Sequence, residues 1–182
     1  MSKTRIAIGT TISAIIVFLV IPAVYWLIVK ALDKLIGLPE NPITEPVALI
    51  LTGLMWSLGL FWIFWAYSYL IFVGSGSPAE AFGIALEPTR QLVTTGPFAY
   101  VRNPMIFGLI FILLGVGFLA NSVMGLALIP VAGLLAAAYI RLFEERELIR
   151  RFGDTYEHYK AHVPMLIPRP EPYVPPATPV QP

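Results

Sequence analysis

The sequence predicts an all-α polytopic membrane bundle, of about four transmembrane helices with a C-terminal interfacial helix, and three observations predict it. Only 13% of the residues are charged and 57% are hydrophobic, whereas a soluble domain carries about 25% charged residues. Charge is missing altogether from residues 6–29, 46–79 and 103–140, and one crossing of the hydrocarbon core takes roughly 20 apolar residues. The charges that remain are one-sided along the chain once those runs are treated as spans. The same numbers exclude other classes. A net charge of +1 gives no field for nucleic acid, and the absence of cysteine removes disulfides, thiolate metal sites and a cysteine nucleophile.

The first run, 6–29, fits one helix. A secretory signal has a shorter apolar stretch, about 7–15 residues, before a small-residue cleavage site. Here Tyr25-Trp26 and then Lys30 follow, which is the pattern of an interface anchor. The second span covers 46–73 as one long or tilted helix. The third run of 38 residues is too long for one span, and Asn121-Ser122 divides it into a hairpin with arms at 104–120 and 122–143. Their uncharged cores, Met105–Ala120 and Val123–Ile140, rise about 24–27 Å at 1.5 Å per residue. Four spans put both termini on one side. That side then holds Lys3, Arg5, Arg90, Arg102, Arg141, Arg146, Arg150, Arg151, Lys160 and Arg169, and the other holds Lys30 and Lys34. The positive-inside rule makes it the cytoplasmic side, so the chain is expected to be a multi-pass membrane protein with both termini cytoplasmic.

The connections follow from breakers and periodicity. Residues 30–45 form a short outer link, with Pro39, Pro42 and Pro46 as breakers. Residues 74–103 are the longest non-membrane stretch before the tail, a length characteristic of functional loops. Pro104 suits the first turn of the third helix. Beyond the fourth span, an interfacial helix over 144–162 is expected to present Leu148, Phe152, Tyr156, Tyr159 and Val163 on one face. Gly153 should bend it, and Asp154 with Glu157 resembles a capping box that restarts it. Residues 164–182 contain eight prolines, a composition that supports neither helix nor strand. Residues 165–168 can dock, and 169–182 are expected to be a disordered proline-rich tail, leaving one membrane domain over 1–168.

Asp, Glu, Lys, Arg and His are missing from the uncharged runs that form the spans, which argues against a proton pump, channel or voltage sensor. Thr10, Thr11, Ser13, Thr52 and Ser57 read as helix–helix contacts, and Gly108 with Gly115-Val116-Gly117 as close helix packing. His158 and His162 stand at i, i+4 without further ligands, so no metal is expected. The polar residues that draw notice lie at the mouth of the hairpin. Arg102 and Asn103 begin one arm, and Glu144 and Glu145 end the other. Surface ion pairs and interfacial anchoring account for such residues in many proteins, at about 0–1 kcal/mol per pair. Yet two carboxylates at a helix C-terminus oppose the helix dipole, which favours cations there, and this suits a ligand.

Two motifs carry a resemblance. Gly96-Pro97-Phe98-Ala99-Tyr100-Val101-Arg102-Asn103-Pro104-Met105 resembles the pattern GPYxxVR[HN]PMY, and Glu144-Glu145-x-x-Leu148-x-x-x-Phe152-Gly153-x-x-Tyr156-x-x-Tyr159 resembles EExxLxxxFGxxYxxY. Together, in order and joined by a two-helix hairpin, they resemble the isoprenylcysteine carboxyl methyltransferase and phospholipid methyltransferase superfamily. The likeness covers about residues 76–168, including Gly76-Ser77-Pro78 and Val163-Pro164.

The resemblance implies a membrane enzyme that uses S-adenosyl-L-methionine, held between the arginine turn and the helix after Glu144-Glu145. Catalytic roles would fall to Arg102, Asn103 and Glu145, and cofactor contacts to Tyr100, Arg102, Asn103, Met105, Glu144, Glu145, Tyr156 and Tyr159. Arg102 can pair with the cofactor's carboxylate in a bidentate way, and either glutamate can accept from its ammonium or ribose. The tyrosines suit adenine stacking or closure of the site, and equally an aromatic interface belt. Two positions depart from the pattern. Asn103 stands where many members have histidine, and an amide hydrogen-bonds but is no base. Ile106 replaces a frequent tyrosine. The expected acceptor is a lipophilic small molecule or lipid, methylated at a carboxylate, thiol or amine. A phospholipid amine N-methyltransferase and a non-catalytic membrane scaffold of the same fold are the alternatives.

Overall fold

The computed structural model describes residues 3–38, 43–75, 80–81, 84–85 and 89–175, with side chains described outside 3–6 and 80–85. The described residues are overwhelmingly helical. Helix α1 (Lys3–Ile15) runs through a π-helical turn (Ile16–Val20) into α2 (Ile21–Ile36). Helix α3 (Glu45–Phe72) follows, then α4 (Pro104–Leu119), and then a broken helix made of α5 (Val123–Ala127), α6 (Ile129–Tyr139), a second π turn (Ile140–Glu144) and α7 (Glu145–Phe152). Helix α8 (Asp154–His162) closes the helical part. The only sheet among the described residues is the two-residue antiparallel pair β1 (Glu80–Ala81) and β2 (Ile84–Ala85).

Three helical stretches are long and apolar enough to cross a membrane: Ala7–Ile36, Glu45–Phe72 and Val123–Phe152. Pro104–Leu119 is apolar but shorter. Their large hydrophobic side chains stay exposed, among them Leu19, Leu27, Ile50, Phe64 and Leu134, as a lipid-facing surface requires. The first helix extends beyond 29, ending only at Ile36 before Gly37 in the left-handed conformation. Pro46 sits in the first turn of α3, where its missing N–H is no loss, so it starts a helix rather than breaking a link. Pro39 and Pro42 lie outside the described residues.

Small residues set the helix spacing. A Cβ on Gly59 of α3 would stand 2.6 Å from the Gly108 carbonyl oxygen of α4, and one on Gly108 would stand 2.7 Å from the Gly59 carbonyl oxygen. The two backbones therefore touch, and no other residue type fits at this crossing. Thr52 Oγ1 of α3 donates to the Gly115 carbonyl of α4 at 3.2 Å, and Ser13 shares a 2.7 Å hydrogen bond with the Tyr67 hydroxyl. The corner between α4 and α5 is capped locally and from afar. Ser122 Oγ accepts from the Gly125 N–H at 2.8 Å, Lys30 donates to the Ala120 carbonyl, and Asp33 accepts from the Met124 N–H. A cation at one helix end and a carboxylate at the start of the next match the two dipoles.

The restart at Gly153 differs from the expected capping box. Gly153 itself is the N-cap, with φ +52°, a conformation L side chains rarely adopt, and Asp154 is already helical with no side-chain cap. The tail also differs. Residues 169–175 are not free: the Arg169 N–H donates to the Tyr100 carbonyl at 2.9 Å, the Tyr173 N–H donates to the Ala99 carbonyl at 2.8 Å, and Tyr173 is buried. Residues 176–182, the rest of the expected tail, lie outside the described residues.

The Gly59–Gly108 contact makes a direct prediction. Gly108→Val is expected to destabilise the bundle by about 1–3 kcal/mol through overpacking, seen as a lower melting temperature in detergent. Gly133→Ala, where nothing lies within 4 Å of the added carbon, is expected to leave the melting temperature unchanged or raised.

Candidate active site at the mouth of the hairpin

The site is built on a turn. Residues Gly96–Ala99 form a single 3-10 turn with Pro97 and Ala99 buried, and Val101 is fully buried behind it. Pro104 then starts α4 with Asn103 as its N-cap. The alternation of buried Ala99 and Val101 leaves Arg102 and Asn103 to face the ends of α7 and α8. Beneath them, Tyr156, Tyr159, Val163 and Tyr173 form a buried cluster with Ala99. The one-face spacing of α8 is thus satisfied inside the protein, against this turn, rather than against a membrane surface.

The turn is tied to the chain that leaves α8. The Arg102 N–H donates to the Pro164 carbonyl at 2.9 Å, Arg102 Nε donates to the Val163 carbonyl at 2.8 Å, and Asn103 Nδ2 donates to the Met165 carbonyl at 3.1 Å. Tyr159 donates its hydroxyl to the Phe98 carbonyl at 2.6 Å.

Arg102 and Glu145 meet. Arg102 Nη1 lies 2.5 Å from Glu145 Oε1 and 3.4 Å from the Tyr156 hydroxyl. Glu145 is only 4% exposed, and its second oxygen takes Lys160 Nζ at 2.8 Å. Both of its carboxylate oxygens are therefore occupied by side chains of this chain. Nη2 of Arg102 has no hydrogen-bond partner among the described residues. The bidentate arginine pairing expected from sequence is thereby narrowed to one remaining nitrogen.

A cavity opens beside this pair, at the mouth of the hairpin. Its polar end is lined by Arg102, Asn103, Glu144 and Tyr156, and its apolar walls include Leu70, Val93, Ile106, Ile140 and Leu148. Met105 and Tyr159 also line it. Of the eight residues singled out from sequence, six line the cavity. Glu145 lies behind Arg102, and Tyr100 is tilted against Trp65 at 6.0 Å instead. Burial pushes the Tyr156 phenol up to about 12 and the Tyr159 phenol higher still, so both remain protonated and neither acts as an anionic base at neutral pH.

Sequence reasoning passed over several partners. Lys160 counted only as a basic residue, although its position four residues after Tyr156 places it on the side of α8 that meets Glu145. The carbonyls of Val163, Pro164 and Met165 carry no side-chain signal. Tyr173 and Arg169 stand out in the proline-rich segment as an aromatic and a cation. Leu92 packs on the cluster, and Thr89 accepts from Arg151, which brings the end of the long loop to α7. The Gly76-Ser77-Pro78 part of the motif lies outside the described residues.

Comparison with known proteins adds two findings. The family described as Phospholipid methyltransferase matches residues 47–155, which is more than half of the chain and holds both the arginine turn and Glu144-Glu145. Methanethiol S-methyltransferase 2 of Bradyrhizobium diazoefficiens is 36% identical over 72 residues, covering 40% of this chain and 27% of that protein. The chain therefore matches about a quarter of that relative's length. No solved structure gives a significant match.

Docking of the tail onto the turn can be measured. Tyr173→Ala removes a buried ring that stands 5.7 Å from the Tyr159 ring and is expected to cost about 3 kcal/mol. Tyr173→Phe keeps the ring and is expected to stay close to wild type. Thermal unfolding in detergent compares the two.

Proposed function

We propose that this chain, which belongs to the phospholipid methyltransferase family, transfers a methyl group from S-adenosyl-L-methionine to a lipophilic acceptor at the cytoplasmic face of the membrane. The observation that carries the reading is the cavity at the hairpin mouth, polar at Arg102 and Glu144 and apolar along Leu70, Val93, Ile106 and Ile140, within the matched residues. A donor with a charged amino-acid end and an acceptor with a hydrocarbon body call for those two kinds of wall.

S-adenosylmethionine, when bound, supplies a methyl group on a sulfonium whose sulfur leaves as a neutral thioether. Arg102 would hold its carboxylate through Nη2, the nitrogen not engaged by Val163 and Glu145. Glu144 would accept from its ammonium or ribose. Asn103 fixes the chain leaving α8 through Met165 and takes up no proton. Tyr156 and Tyr159 hold their protons as well. These residues position the reactants and exclude water, and the contribution of positioning alone can reach about 7–11 kcal/mol.

The acceptor that suits this set is one that brings its own charge, a thiolate or carboxylate. Its lone pair forms the new bond to the methyl carbon while the carbon–sulfur bond breaks, and no proton has to be removed by the protein. Similarity to a protein named for methanethiol S-methylation supports a sulfur acceptor. The family's description favours a second reading, a phospholipid amine, which would have to arrive deprotonated.

We also propose four spans with both termini cytoplasmic. Helix α4, at 16 residues, rises about 24 Å and crosses as a short span. The ten-to-two distribution of basic residues sets the direction. The lack of native cysteine makes the topology readable: a single cysteine at Leu35 is expected to react with an impermeant maleimide from outside the cell, and one at Glu157 only after lysis.

Methyl transfer from labelled cofactor into membrane extract is expected for the wild type and to fall by about a hundredfold or more in Arg102→Ala, in keeping with loss of a charged contact to the reacting complex. No cofactor binding by the wild type in calorimetry would leave the scaffold reading standing.

A further inference from the structure

Glu145 has two oxygens and faces two cations from different parts of the chain. Arg102 comes from the turn before α4, and Lys160 comes from the last turn of α8. Lys160 lies beyond residue 155, where the family match ends, and it does not line the cavity. The geometry of the carboxylate gives it a task nonetheless. Arginine and carboxylate favour a two-pronged pairing, in which two guanidinium nitrogens meet both oxygens. Here the pairing is single-pronged: Lys160 Nζ sits on Oε2 at 2.8 Å and competes for it, and Arg102 meets only Oε1, at 2.5 Å. Arg102 gives Nη1 to Glu145 and Nε to the Val163 carbonyl. Nη2 is the nitrogen left over, on a side chain that lines the cavity.

We propose that Lys160 is a positioning residue: by occupying one oxygen of Glu145, it keeps Arg102 in a single-pronged contact and so keeps Nη2 available to an anionic group in the cavity. The inference rests on the proposed cofactor site and names the anionic end of that ligand as the group served. Charge counting leads to the same point. Two cations and one carboxylate leave the cluster with one positive charge, whereas Arg102 and Glu145 alone leave none. Without Lys160, Oε2 is a nearly buried anionic oxygen that has lost its partner, and Nη2, on the guanidinium already bonded to Oε1, is a donor able to satisfy it. The turn that should hold an anion would then be closed by the protein's own carboxylate.

The test is calorimetric binding of S-adenosylhomocysteine, the demethylated cofactor, to the full chain in detergent, so that no turnover is involved. Lys160→Met is expected to weaken binding by about tenfold, the scale of one charge-assisted hydrogen bond. Lys160→Arg keeps a cation on Oε2 and is expected to bind within about twofold of wild type. The decisive variant is Lys160→Met combined with Glu145→Gln, which returns the positive charge and removes the competing anion. It is expected to bind more tightly than Lys160→Met alone, a recovery that a merely structural role for Lys160 would not produce. Equal binding by wild type and Lys160→Met overturns the proposal, as does a double variant no better than the single one. If Lys160→Met does not hold its fold by melting temperature, Lys160→Gln carries the same expectations. Failure of the wild type to bind would instead strike the cofactor reading itself.

Discussion

The buried contact between Arg102 and Glu145 is the joint around which the rest of the molecule is arranged. It links the start of α4 to the start of α7, two residues that stand 43 positions apart along the chain. Neither partner is placed where an ionised group sits comfortably. Losing one partner of such a pair typically costs about 3–5 kcal/mol, because the other is left as an uncompensated charge. The surrounding structure spreads that burden over several acceptors and donors. The carbonyl of Val163, the hydroxyl of Tyr156 and the ammonium of Lys160 each take one site on the pair. Every one of them belongs to α8 or its exit, so the pair also determines where α8 must lie.

Bringing the two ends together depends in turn on how closely α3 and α4 run. The mutual approach of Gly59 and Gly108 draws α4 against α3, and the Ser122 cap turns the chain back with no slack. At the far end, Lys30 and Asp33 grip the same corner. The hairpin is thereby fixed at its closed end by polar caps and along one arm by backbone contact. Its open end is left to be closed by the ion pair, and the cavity is the space that remains beside that closure.

Much of this was legible in the sequence because the membrane punishes ambiguity. Uncharged runs had to be spans, Pro104 had to begin a helix, and Asn121-Ser122 had to turn one. Arg102 and Glu145 could be brought together by topology alone. The less legible features are those carried by backbone groups. Among the described residues, 164–175 form no helix or strand, as their proline content requires, but docking needs only isolated donors. The two N–H groups that hold it, on Arg169 and Tyr173, are those that prolines leave in place. Gly153 and Asp154 were read one position out of register, since a positive φ at glycine ends one helix and caps the next without any side chain. The division of labour between the two glutamates was also hidden. Adjacent residues on a helix point about 100° apart, and Glu145 is the one turned inward, onto Arg102 and onto Lys160 fifteen positions further along.

That division bears on how such a site can be selective. A wall made of Arg102, Asn103 and Glu144 offers a donor, an amide and an acceptor. Tyr156 and Tyr159 are held protonated by burial, and Asn103 replaces the one residue type that would titrate there. Under the proposed reading, chemistry at this site follows the state in which the acceptor arrives, with the apolar walls holding its body and the arginine end the donor. Asn103 spends its amide on the Met165 carbonyl that anchors the tail, and an anionic acceptor would ask no proton transfer of it.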